Sequence, residues 1–268
     1  MDAEYQARFG GIERLYGKAQ ARRLREARVA VIGIGGVGSW SVEALARSGI
    51  GHLTLIDLDD VCITNVNRQI PALSGMFGRP KVEVMAERFM AINPSGQVTP
   101  VRSFFTAQTA DTLLGAEFDV VLDAIDQIDL KCLLIAQCRA RGLPIISTGG
   151  AGGRRDPARV RTGDLGQATH DRLLVKVRKI LRAEHGFTRE PGGSFNVDCV
   201  YSVEPQVYPQ SDGSVCETRE PGNALRLDCR SGYGTASFVT GTFGFVAASL
   251  VVKQLVERDR YGDGALPV

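Results

Sequence analysis

Three observations predict an α/β fold, a Rossmann-like doubly wound and mostly parallel sheet. A short apolar run, Val29-Ala30-Val31-Ile32, ends in a cluster of glycines and passes straight into a helical pattern. A second apolar run, ending at Ile56, delivers Asp57 about 20 residues past those glycines, where a nucleotide-binding βαβ unit places an acid. Strand-like and helix-like segments then alternate as far as Gly153, the pattern of parallel strands joined by crossover helices.

Taken in order, residues 5–28 read as a basic helical preface. Strands are expected at 29–33, 53–57, 97–101, 119–123 and 144–148, and helices near 37–48, 80–92, 107–115 and 128–141. Asn93-Pro94 stops the second of those helices. Beyond Gly153 the pattern loosens. Residues 159–165 suggest a strand, 170–185 a charged helix, 186–193 a flexible glycine loop, and 201–208 a strand interrupted by Pro205. The expected organisation is one domain over 1–268, with a helical preface at 1–28, a nucleotide-binding half at 29–153, and an acceptor-binding and dimerisation half at 154–268 carrying a mobile crossover loop.

The first functional signal is Gly33-Ile34-Gly35-Gly36-Val37-Gly38. A glycine turn between a strand and a helix start lets phosphate approach the free N–H groups and the positive end of the helix dipole. Glycine is required because a Cβ would block both the tight turn and the close approach. This signal alone would suit a nicotinamide dehydrogenase. The next segment points elsewhere. Asp57-Leu58-Asp59-Asp60 leads into Thr64-Asn65-Val66-Asn67-Arg68-Gln69, and Lys81 opens the following helix. Two cations, several amides and several acids around one nucleotide suit a triphosphate with a metal ion, since arginine and lysine neutralise charge that builds on a transferring phosphate. The plain alternatives are a solvated turn for Asp59 and Asp60 and a surface ion pair for Arg68.

Composition narrows the classes. The chain has 268 residues, 44% of them hydrophobic, enough for a sizeable core. A net charge of +2 gives no whole-protein field typical of nucleic-acid binders. The basic residues Arg154, Arg155, Arg159, Arg161, Arg172, Lys176, Arg178, Lys179 and Arg182 are nevertheless concentrated, forming either a phosphate-contacting surface or a solvated helix face. The six cysteines, at 62, 132, 138, 199, 216 and 229, form no Cys-x-x-Cys pair, so no tetrahedral zinc site is expected, and scattered thiols suit a reducing, cytoplasmic setting. Residues 1–10 are polar and charged, unlike a signal peptide. Residues 236–252 form an uncharged run of 17, at the short limit for a membrane span. Its glycines, hydroxyls and small side chains favour a helix buried in the sheet layer or a dimer interface.

The glycine turn, the Asp-x-Asp-x-Val and Thr-Asn-x-Asn-Arg-Gln segments, Lys81 and Asp123-Ala124-Ile125-Asp126 together resemble the ThiF/MoeB and ubiquitin-activating superfamily. The resemblance is closer to one branch, the tRNA threonylcarbamoyladenosine dehydratases. Arg8-Phe9-Gly10-Gly11 with Arg14-Leu15-Tyr16-Gly17, and residues 33–40, 56–69, 148–153, 198–204, 208–216 and 228–234, carry it over nearly the whole chain. The missing cysteine pairs are a departure from the broader superfamily.

The resemblance implies ATP and Mg2+ as cofactors, leaves a monovalent cation open, and implies a homodimer acting on tRNA that carries threonylcarbamoyladenosine at position 37. The reaction it implies is adenylation of the threonine carboxylate followed by ring closure with net loss of water. It further implies that Gly33, Gly35, Gly36 and Gly38 shape the nucleotide turn, that Asp57 and Asp59 serve the nucleotide, and that Asn65, Arg68, Gln69 and Lys81 face the phosphates. Asp126 is the magnesium candidate, because a hard cation prefers carboxylate and phosphate oxygens; its alternative is an N-cap for the helix from Ile128. Arg14, or Arg8 in second place, would reach the partner protomer's ATP. Cys229, before a glycine-rich stretch, is either a low-pKa nucleophile or sulfur relay, with a sulfur-transfer partner docking nearby, or a buried small residue; Cys199 carries the same ambiguity. Two rivals stand beside this reading: adenylation of a ubiquitin-like or sulfur-carrier protein C-terminus, and a nicotinamide dehydrogenase or nucleotide-sensing module.

Overall fold

The computed structural model describes residues 3–218 and 233–257. Two helices, α1 (Ala3–Tyr16) and α2 (Lys18–Glu26), make up the helical lead-in. Gly17 breaks them apart at φ 90°, a conformation that side chains with a Cβ rarely adopt. The body is a seven-stranded sheet of β1 (Arg28–Ile32), β2 (His52–Ile56), β3 (Gln97–Val101), β4 (Val120–Asp123), β5 (Ile145–Thr148), β6 (Val160–Asp164) and β7 (Asp198–Ser202), in the order β3-β2-β1-β4-β5-β7-β6. All neighbours are parallel except β6, which pairs antiparallel with β7 at the edge. A small hairpin of β8 (Tyr208–Pro209) and β9 (Val215–Cys216) lies outside this sheet.

Helices α3 (Gly38–Arg47), α4 (Lys81–Ile92), α5 (Ala110–Leu113), α6 (Ile128–Ala140), α7 (Arg172–Glu184) and α8 (Ser237–Glu257) complete the layers. Two hydrophobic cores form. One holds Leu24, Val31, Val42, Leu55, Phe89, Leu122, Phe243 and Val251; the other holds Ile32, Ile56, Val121, Ile135, Leu174, Phe195 and Cys199. Alternate residues of one strand, such as Val31 and Ile32, enter different cores, as expected of a sheet covered on both faces.

The expected strand at 201–208 does not form as one piece. β7 stops at Ser202 because Glu204 turns inward and its carboxylate accepts the backbone N–H groups of Arg155 (2.9 Å) and Asp156 (2.9 Å). The apolar run at 236–252 is α8, which is long and apolar enough to cross a membrane by composition, with a mean hydropathy of 1.5. It packs against α3 instead. A Cβ at Gly244 would lie 2.6 Å from Trp40 Cβ and 2.7 Å from the Val37 carbonyl, so glycine there sets the close helix–helix approach.

β1 pairs with β2 on one side and β4 on the other, so the chain winds away in both directions from the β1–β4 seam. Such a switch point opens a crevice beyond the carboxyl ends of the strands. The glycine turn after β1 and the Asp123–Asp126 segment after β4 both fall there.

Candidate nucleotide-binding and adenylation site

Gly33 adopts φ +91°, and a Cβ on it would sit 2.8 Å from the Ala124 carbonyl. The Ala124 N–H donates to the Ile32 carbonyl at 2.9 Å, so the two loops of the seam lie edge to edge. A Cβ at Gly38 would overlap the Gly33 carbonyl, which explains glycine at the first residue of α3. Val37 stands at the helix N-cap with no side-chain cap bond, and the Ser39 N–H donates to the Gly35 carbonyl at 3.0 Å, folding the glycine turn onto the helix start, where the dipole favours an anion.

Asp57 leaves the end of β2 and folds back over this turn. Its Oδ2 accepts from the Ile34 N–H at 2.6 Å and its Oδ1 from the Asp59 N–H at 2.8 Å. Burial pushes its carboxyl above the ordinary value, although Lys81 and the two backbone donors pull the other way. Lys81, at the first turn of α4, is almost fully buried and holds its Nζ 2.7 Å from Asp59 Oδ2. Asp57, Asp59 and Lys81 therefore form one charged group at the edge of the glycine turn.

The Thr64–Gln69 segment arrives from the other side. Trp40 Nε1 donates to the Arg68 carbonyl at 3.0 Å and the Ile70 N–H to Ser39 Oγ at 3.3 Å, tying the loop to α3. Thr240 Oγ1 of α8 also donates to the Arg68 carbonyl at 3.3 Å. The Arg68 side chain lies against Gly36, whose Cβ would meet Arg68 Cγ and Cδ at 3.6 Å, and the Gln69 amide lies 4.0 Å from a Cβ position on Gly35. The Arg68 guanidinium donates to the Thr64 carbonyl at 2.7 Å and to Asn67 Oδ1 at 3.1 Å, and no carboxylate among the described residues neutralises it. Asn65 is buried, and its Oδ1 accepts from the Cys62 N–H at 3.2 Å, closing a short 3-10 turn. That carbonyl oxygen shapes the loop that aims Arg68.

Asp126 stands three residues past β4 and is exposed; its carboxylate has no partner among the described residues. The N-cap of α6 is Gln127, with no side-chain cap bond, so Asp126 does not serve as the cap. Among the described residues no group of three or more His, Cys, Asp or Glu converges. A single free carboxylate beside a triphosphate fits Mg2+, which takes one or two protein oxygens and completes its shell with phosphate and water.

The sequence reading named Asp123 but not the buried groups around it, Lys131 among them. Asp123, fully buried, accepts from Lys131 Nζ at 2.6 Å, from Ser147 Oγ at 2.7 Å and from the Ile125 N–H at 3.0 Å. This cluster pins the Asp123–Asp126 loop against the sheet. The available signal was Lys131 standing on the apolar stripe of α6, among Ile128, Cys132, Ile135 and Cys138. Asp171 caps α7 through the Leu174 N–H at 3.0 Å and holds the Gly150 N–H at 2.9 Å.

The remaining candidates lie apart. Arg14 is exposed on α1; Arg8 pairs with Glu4 at 2.8 Å. Cys199 is buried in β7 among apolar neighbours, and burial pushes its thiol far above the ordinary value, as it pushes Cys132 and Cys138 up to about 12. A thiol so shifted is a poor nucleophile, so Cys199 is a core residue. Cys229 lies outside the described residues.

The seam, the glycine turn and the ring of charged groups define a nucleotide-handling site on a ThiF-type scaffold. The chain belongs to the ThiF family, whose model matches residues 11–263. It is 47% identical over 255 residues to the tRNA threonylcarbamoyladenosine dehydratase of Escherichia coli (strain K12), covering 95% of each chain. It superposes on the crystal structures of the E. coli tRNA N6-threonylcarbamoyladenosine dehydratase in complex with ATP and in complex with AMP, each with a TM-score of 0.86 and at 42% and 43% identity, covering 97% of this chain and 98% of those.

Proposed function

We propose that the chain is an ATP-dependent, ligase-type tRNA-modifying enzyme that cyclises N6-threonylcarbamoyladenosine at position 37 of tRNA. The observation that supports this reading is the placement of Asp57 and Arg68 against the glycine turn, with Lys81 paired to Asp59 beside it and the Asp126 loop following Ala124, on a scaffold alike over nearly its full length to dehydratases of that substrate. A nicotinamide site would need fewer cations for its phosphates than Arg68 and Lys81 offer here.

In the first step an oxygen of the threonine carboxylate attacks the α-phosphorus of ATP. The bond to the β-phosphate oxygen breaks and pyrophosphate leaves. Arg68 lies against Gly36, and its unneutralised guanidinium offsets charge on the phosphates as they separate. Lys81 adds a second cation, held in place by Asp59. Asp57 accepts the ribose hydroxyls by giving up part of its hold on the turn. Asp126 would hold Mg2+, which supplies Lewis-acid neutralisation of the phosphate oxygens. In the second step the substrate's own carbamoyl group attacks the acyl carbon, the bond to AMP breaks, and the ring closes with net loss of water from the nucleoside.

The domain division follows the same logic: 29–153 binds the nucleotide, and 154–268 receives the acceptor and supports dimerisation. A homodimer is supported by large apolar side chains left exposed, among them Leu15, Ile63, Val66, Phe238 and Phe245. Arg14 of one protomer would then serve the other. A sulfur-transfer partner enters the proposal only through Cys229, and a monovalent cation has no support in the described geometry. We place the enzyme in the cytoplasm with its tRNA substrate.

Pyrophosphate release separates the readings. Modified tRNA should trigger release from ATP–Mg2+; release with a carrier-protein tail alone would favour that acceptor instead. NAD binding without ATP binding would exclude adenylation altogether.

A further inference from the structure

The basic residues between 154 and 182 do not form a single surface. Arg154 is fully buried, with one amino group donating to the His170 carbonyl at 3.1 Å. Arg178 and Arg182 turn inward to the Leu165 and Thr188 carbonyls. Lys176 and Lys179 differ. Three residues apart on α7, they share one helix face, both are exposed, and neither has an ion-pair or hydrogen-bond partner among the described residues.

These two lysines line a cleft of about 510 Å³ whose other walls are Gln127, Ile128, Asp129 and Ile180. Its size lies within the roughly 300–1,000 Å³ of small-ligand clefts. Its opposite wall is the start of α6, and Gln127 directly follows Asp126, so the cleft adjoins the loop that carries Asp126. The lining is divided. Ile128 and Ile180 offer an apolar floor, Gln127 an amide, and the α7 wall two cations. That combination matches a nucleotide, with a base and sugar for the isoleucines and the amide and a phosphate for the lysines. No ion pair joins Asp129 to either lysine; its carboxylate disfavours phosphate on the α6 wall and leaves the α7 wall as the phosphate seat.

We propose that this cleft seats a nucleotide of the tRNA that neighbours the modified adenosine, with Lys176 and Lys179 on its phosphate, and so fixes the register in which the modification meets Asp126. The inference rests on tRNA being the acceptor.

The test compares the wild type with Lys176→Ala/Lys179→Ala, and with Lys18→Ala/Lys253→Ala as a control that removes the same charge elsewhere. Modified tRNA is the varied substrate at saturating ATP–Mg2+. The cleft variant should raise KM for tRNA about tenfold and lower the slope of log affinity against log salt by about 1 to 2, one increment per lost phosphate contact. The ATP KM should not move, and Lys176→Arg/Lys179→Arg should restore the tRNA KM. An unchanged tRNA KM, an equal loss in the control, or a loss confined to ATP would each overturn the cleft's role. A wild-type enzyme inert toward modified tRNA would instead overturn the function itself, so the two failures are distinct.

Discussion

Asp126 and Lys131 lie five residues apart on the same loop–helix unit and show how differently a charge is used in this fold. Asp126 is exposed and holds nothing among the described residues, so its loss should leave packing untouched. Asp126→Ala should therefore abolish turnover while the unfolding midpoint stays at the wild-type value; wild-type turnover in that variant would remove its assigned role. Lys131 is the opposite case. With both partners fully buried, removing it strands the Asp123 carboxylate. Lys131→Ala should cost about 3–5 kcal/mol in urea unfolding, the usual penalty for breaking a buried pair from one side. The glycines, Asp57 and Lys81 stood out in the sequence as candidates because each breaks a local pattern at a strand or helix end, and Arg68 because it lies in a polar loop between them. Lys131 did not, since a single lysine in a helix reads as solvated, and only its place on the apolar stripe marks it.

At the scale of elements, the alternation through β5 was readable because short apolar runs and glycine or acid terminators repeat in order. The misread piece, 201–208, is apolar enough for a strand; what ends it is a carboxylate, Glu204, capping backbone amides some fifty residues upstream, a contact no local pattern carries. A similar long-range tie joins α3 to α4. Glu43 is buried and accepts from Arg88 at 2.5 Å and Arg47 at 2.7 Å. Burial alone would raise its pKa, but the two arginines outweigh it and hold the carboxyl below the ordinary value. A folded pKa below the unfolded one contributes stability above the unfolded value, about 4.3, and that contribution fades as pH falls through the lower folded value. Glu43→Gln should therefore be less stable than the wild type at pH 7, with the gap in urea midpoint closing on acidification. A gap independent of pH would contradict this.

For the molecule as a whole, the large apolar side chains left exposed among the described residues are the main departure from an ordinary solvated surface. Phe238 and Phe245, 58% and 49% exposed, stand on α8 with Trp40 packed edge-on against Phe245. If they meet a second copy, Phe238→Asp/Phe245→Asp should elute as a monomer in size-exclusion chromatography, against a wild-type dimer. An unchanged elution volume would move the interface elsewhere. The run at 236–252 suggested a buried helix or an interface in the sequence, but which of its side chains stay exposed was not legible there, because that depends on packing against α3, far away in the chain.

The adenylation chemistry itself has a direct readout in the product. tRNA bearing threonylcarbamoyladenosine is incubated with the protein, ATP and Mg2+, then digested to nucleosides and weighed by mass spectrometry. The modified nucleoside should lose one water, with AMP and pyrophosphate released in equal amount. A nucleoside of unchanged mass, while ATP is still consumed with another acceptor, would contradict the central claim.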